Sequence, residues 1–146
     1  MQTRGNFQTG GKMKKDKNTY AWERLSKYLD DKMEDFVIDI FDNCFGYSIP
    51  KAWDMIIADL VKIIHYRVTS CDKKGIKVVQ VKSKFGGLRF YTEGERDDYI
   101  YGAIKMAEAQ AYKTCPVCGS FNKPRTYTGR YLKGCIVCED MSFEMT

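Results

Sequence analysis

A single histidine, His65, is all the imidazole this chain has, and that scarcity removes two function classes. Zinc hydrolases of the Cys/His type and HNH-type nucleases both draw on several imidazoles, so neither is supported. No apolar run approaches the eighteen or so residues of a membrane-crossing helix. The first residues are polar and basic without an apolar stretch, unlike a secretory signal. Neither a glycine-rich phosphate loop nor a nucleophile elbow occurs. The expectations are no enzymatic activity, no membrane contact and a reducing, cytoplasmic location.

What is present is enough for a core. The 146 residues are 44% hydrophobic and 14% aromatic, so the chain is a globular domain and not a disordered tail. A net charge of +5 admits anionic partners without requiring them.

Four of the six cysteines carry the strongest signal. Cys115-Pro116-Val117-Cys118 and Cys135-Ile136-Val137-Cys138 are two CxxC pairs separated by sixteen residues. Each short turn aims two sulfurs at one centre, and the intervening loop lets the second pair complete a tetrahedron. The pattern predicts one structural Zn²⁺ held by Cys115, Cys118, Cys135 and Cys138, with no open coordination position. Gly119 and Gly134 flank the pairs and supply permissive backbone. Cys44 and Cys71 lack partners at metal spacing and read as buried or incidental thiols.

Along the chain, residues 1–18 read as a flexible basic arm without apolar periodicity. Residues 19–112 read as an α+β domain. Trp22, Leu25, Leu29, Met33, Phe36, Ile40 and Cys44 recur at helical spacing, as one helix or as two broken near Asp31, ended by Gly46. Ser48 and Pro50 announce a second helix, with Trp53, Ile56, Ile57, Leu60, Ile63 and Ile64 as its apolar stripe. His65 falls near its end and reads as structural. A third helix over 98–113 carries Ile100, Ala103, Ile104, Ala107 and Ala111 on one face and runs directly into Cys115. Residues 113–146 read as a zinc-ribbon-like or treble-clef-like module with an acidic tail.

Between the second and third helices, two alternating runs meet at Gly86-Gly87, which reads as a two-residue hairpin turn. That turn pairs Phe85 with Leu88, Ser83 with Phe90 and Val81 with Thr92. One face then carries Val79, Val81, Phe85, Leu88 and Phe90. The other carries Gln80, Lys82, Lys84, Arg89 and Tyr91, where cations can hold phosphates and the ring can stack a base. Lysines on an edge hairpin also simply prevent aggregation. Lys123, Arg125, Arg130 and Lys133 lie between the cysteine pairs, with no acid from Lys113 to Cys138. Four thiolates on Zn²⁺ leave a charge of about −2, which these cations offset; with Tyr127 and Tyr131 among them, they also suit nucleic acid.

The run Val81-Lys82-Ser83-Lys84-Phe85-Gly86-Gly87-Leu88-Arg89-Phe90-Tyr91, then Ala107-Glu108, then Thr114-Cys115-Pro116-Val117-Cys118-Gly119 is similar to a family of small bacteriophage and prophage proteins. Those carry a KxKFGxLRFY run, a helix and a CxxCG zinc-ribbon-like end. The resemblance covers roughly residues 45–138 and implies a phage origin, hence a host-cell cytoplasm, and a zinc module. It departs after Gly129, where Arg130-Tyr131 stands in place of the family's tryptophan. It supplies no function, and two readings stay open. One is an accessory protein binding DNA or RNA; the other is an effector binding a host protein of transcription or anti-phage defence.

Overall fold

The structure, a computed structural model, describes residues 18–73, 75–128 and 131–138. The expected arm up to residue 17, Arg130 and the acidic tail from Glu139 lie outside the described residues. The architecture is α+β.

The N-terminal helical pattern is broken. Helix α1 (Tyr20–Leu25) passes through a 3₁₀ turn into extended Leu29, and the Asp30 carboxylate accepts from the Lys32 amide to start a second 3₁₀ turn. Helix α2 (Glu34–Ile40) follows. Leu25, Leu29, Met33 and Ile40 are buried as the periodicity requires, while Trp22, Phe36 and Cys44 are half-buried at the margin. Gly46 does not cap a helix. Its carbonyl accepts from the Val81 amide at 2.8 Å, leading the chain into a short strand, β1 (Tyr47–Ser48).

Pro50 then opens a 3₁₀ turn (Lys51–Trp53) that runs into α3 (Asp54–Ser70). Ile56, Ile57, Leu60, Val61 and Ile64 are buried, but Ile63, expected in that stripe, is 40% exposed. The His65 ring packs edge-on against Phe36 at 4.7 Å, a structural place. Cys71, expected as buried or incidental, is exposed.

Strands β2 (Lys77–Lys84) and β3 (Gly87–Glu93) form the expected antiparallel hairpin. Parallel β1 adds to β2, so the sheet has three strands in the order β1-β2-β3. The turn is Phe85-Gly86, not Gly86-Gly87, with φ of 54° and 82°. Val81 therefore opposes Phe90 instead of Thr92. The shift is by two residues, so strand faces are kept. Phe85 leaves the core for the turn, and a bulge at Val79 puts Val78 inside in its place. Helix α4 (Asp98–Tyr112) is capped by Asp97, which accepts from the Tyr99 and Ile100 amides. It covers the free edge of β3, where the Phe90 amide donates to Glu108. Buried side chains from α1–α4 and the inner face of the sheet make one core. Among the described residues no helix is long and apolar enough to cross a membrane.

A buried ion pair ties these layers together. Arg24 of α1 donates from Nε and Nη2 to Asp54 of α3, both at 2.7 Å. Its Nη2 also reaches the Ile49 carbonyl and its Nη1 the Tyr20 hydroxyl, while the Tyr47 hydroxyl donates to Asp54. Burial, then the Asp54 charge, pushes the Tyr47 phenol well above its ordinary range. Removing one partner strands the other charge. Asp54→Ala is expected to cost about 3–5 kcal/mol, read as a lowered denaturation midpoint; a change below about 1 kcal/mol would contradict this role.

Candidate metal centre and basic surface

Helix α4 delivers the chain straight into the first cysteine turn. Thr114 bridges Phe121, the Cys115 amide donates to the Ser120 carbonyl, and Gly119 closes the turn at φ 78°. Strands β4 (Arg125–Thr128) and β5 (Tyr131–Cys135) bring the second pair back, and a 3₁₀ turn (Ile136–Cys138) presents Cys138. Gly134 sits where space is tight rather than where the chain turns: an added Cβ would lie 3.4 Å from Cys115 Sγ and 3.2 Å from Cys138 Cβ.

The sulfurs of Cys115, Cys118, Cys135 and Cys138 all lie within 4.8 Å of one another, an arrangement able to hold a metal ion. Cys115, Cys135 and Cys138 are buried and Cys118 is exposed. The Val117, Cys118 and Cys135 amides each donate to Cys115 Sγ at 3.3–3.4 Å. Burial pushes the Cys115 thiol up, and these amides more than offset it, leaving it below its ordinary value. The Ser120 hydroxyl and amide hold Cys118 down to about 6, whereas burial pushes Cys138 up to about 12.

The metal module is fastened to the α+β part by Arg125. Its Nε meets the Lys133 carbonyl at 2.5 Å; Nη1 meets Ala111 and Tyr112 at 3.4 and 2.9 Å; Nη2 meets Gly86 and Leu132 at 3.0 and 3.1 Å. A guanidinium has five N–H donors, and every one is spent on a backbone carbonyl. Its plane also lies 5.9 Å from the Trp53 ring, whose Nε1 donates to the Thr114 carbonyl. The Leu132 amide donates to Phe85 at 3.2 Å, and a Cβ on Gly86 would sit 2.0 Å from the Leu132 carbonyl. Only glycine fits there.

The expected binding residues divide. Lys82, Lys84, Arg89 and Tyr91 lie together on the outward face of the hairpin, with Lys82 directly opposite Arg89. Among the described residues none of the three cations pairs with a carboxylate. Lys82 Nζ stands 5.9 Å from the Tyr91 ring. Lys133 is half-buried on β5, and exposed Lys123 lines a different cleft with Tyr112, Lys113 and Tyr127. Arg125 points inward and is a fastener rather than a contact surface. Arg130 lies outside the described residues.

No family model, curated protein or solved structure matches the chain. The resemblance to small phage proteins rests on the quoted residues alone.

Sequence reasoning missed the inward role of Arg125 and the part played by Gly86 as a landing site for β5. The one available signal was an arginine directly after Lys123-Pro124 in an acid-free loop, which reads equally as surface. Arg125→Lys keeps the charge but leaves carbonyls without donors, at a cost of about 2 kcal/mol or more. Hydrogen exchange should quicken at Leu132 and through β4–β5 while α3 stays protected; unchanged exchange at Leu132 would refute the fastening.

Proposed function

We propose that this is a non-enzymatic, phage-type, zinc-binding accessory protein that acts in a host cytoplasm and binds DNA or RNA. The contact surface is the outward hairpin face of Lys82, Lys84, Arg89 and Tyr91. One observation carries the reading: three cations without carboxylate partners among the described residues share a rigid strand pair with an exposed ring. Elsewhere several cations are matched, as Lys77 is by Asp39 and Asp42, and as Arg67 and Lys73 are by Asp97, while Lys27, Lys32, Lys51 and Lys113 are scattered singly without carboxylate partners among the described residues.

The four-sulfur set, with all sulfurs within 4.8 Å of one another, supports zinc as its metal. Zn–S bonds of about 2.3 Å in a tetrahedron set sulfurs roughly 3.8 Å apart, and Cys118 and Cys135 are separated by 3.9 Å. Four protein ligands fill the coordination sphere, so the ion holds structure. Two cysteine turns joined by the β4–β5 hairpin support the reading of a zinc-ribbon-like or treble-clef-like module.

The double substitution Lys82→Glu with Arg89→Glu should lower oligonucleotide affinity by at least about ten-fold while leaving circular dichroism unchanged. Affinity should also fall with salt at a log–log slope between about −2 and −3, as three phosphate contacts require. Wild-type binding by the double variant would remove the hairpin from the function. Elemental analysis should find one zinc per chain. Cys115→Ser should unfold β4–β5 well before the helical part, seen by hydrogen exchange; a chain purified without any bound metal would overturn the centre.

The effector reading has one observation in its favour. A groove of about 420 Å³ between α3 and α4 is lined by Ile56, Leu60, Ile63, Ala103 and Met106, and Met106 is 71% exposed. A host-protein partner bound there would be retained through nuclease treatment and raised salt.

A further inference from the structure

Exposed rings gather where the hairpin meets the metal module. Phe85 occupies the first turn position at φ 54°, a conformation that suits Asn or Gly and strains a bulky residue. Its ring lies 5.5 Å from that of Tyr131 on β5, inclined by 51°. If the two served only to lock the modules, their surfaces would close on each other. Instead Phe85 is 48% and Tyr131 54% exposed. The locking is already done by the Leu132 amide on the Phe85 carbonyl and by Arg125 on Gly86.

The pair continues the cationic face. Lys84 Nζ stands 5.9 Å from the Phe85 ring; Lys82 and Arg89 come next along the strands, and Tyr91 lies beyond them under Lys82. From the Gln80–Tyr91 pair to Lys84 is four residues of strand, or about 13 Å. The surface is thus a track with a ring at one end, three cations along it and two rings at the other. Backbone phosphates satisfy the cations of such a track whatever the strandedness, but its rings are usable only by bases whose faces are free. In a duplex those faces are hidden by stacking, so a double helix would engage the cations and leave the rings idle.

We infer that the ligand is a single nucleic-acid strand, with bases stacked on Tyr91 and on the Phe85–Tyr131 pair and phosphates over Lys82, Arg89 and Lys84. This deepens the nucleic-acid reading and rests on it. The site is composite, since Tyr131 belongs to the metal module and the remainder to the hairpin.

The test is fluorescence anisotropy on the full chain with labelled oligothymidylate, oligouridylate and a mixed-sequence duplex of equal length. The expected result is tighter binding of the single strands than of the duplex. Tyr131→Leu and Tyr91→Leu should each weaken single-strand binding by at least about five-fold, with the salt slope and the weak duplex binding unchanged. Tyr91 lies away from the joint between modules, so its variant remains informative should Tyr131→Leu disturb the fold. Equal affinity for duplex and single strand, or variants that bind single strands like the wild type, would overturn the inference and leave the broader nucleic-acid reading standing. Failure to bind any of the three probes would remove both.

Discussion

The guanidinium of Arg125 constrains more of this molecule than any other group. Its donors reach the last carbonyls of α4, the turn of the β2–β3 hairpin and two carbonyls of β5, so three elements distant in sequence share one planar cation. The Ala111 and Tyr112 carbonyls lie in the last turn of the helix and carry the negative end of its dipole, and Ala111 also accepts from the Thr114 amide. Burial lowers the pKa of Arg125, yet the side chain stays charged at any ordinary pH because its reference value is so high. Electrostatics and hydrogen-bond geometry therefore agree on one position for the metal module. The β4–β5 hairpin is fixed against the sheet and not tethered to it.

That constraint propagates to the hairpin register. A Gly86-Gly87 turn would seem easier, since two glycines take positive φ freely. The chain instead bears the strain of Phe85 in the left-handed region, and the close approach of the Leu132 carbonyl to Gly86 accepts nothing larger than glycine there. Register then follows, and with it the pairing of Lys82 with Arg89. A slip of one residue would have turned these cations toward the core. The contact from the metal module thus goes with the cross-strand pairing of Lys82 and Arg89, while the period-two alternation of the strands sets which face meets solvent.

These dependencies explain what could be read from the chain and what could not. Helices α3 and α4 were legible because their apolar spacing is a local signal. So were the four sulfurs, whose CxxC spacing states its own geometry, and the two faces of β2 and β3, which survive a shift of two. Strand β1 was not: two residues carry no periodicity, and their pairing with Val81 and Lys82 is created by the fold. Arg24 and Arg125 were hidden for a shared reason. Charged residues are expected at the surface, and nothing local marks an arginine whose partners, Asp54 in one case and backbone carbonyls in the other, come from elsewhere in the chain.

Placing arginines inside changes what the net charge means. Arg24 and Arg125 are consumed by the interior, and many of the helix carboxylates find lysine or arginine partners, as Asp39 and Asp42 do in Lys77. The cations left facing solvent without partners among the described residues include the three of the hairpin face, backed by a sheet that cannot flex away from a ligand. A weakly basic chain becomes locally strongly basic by this sorting, which concentrates field where a polyanion would lie. The cysteine centre takes part only through its grip on β5: it keeps Leu132 against Gly86, while burial of Val81, Leu88 and Phe90 on the inner face keeps the cations outward.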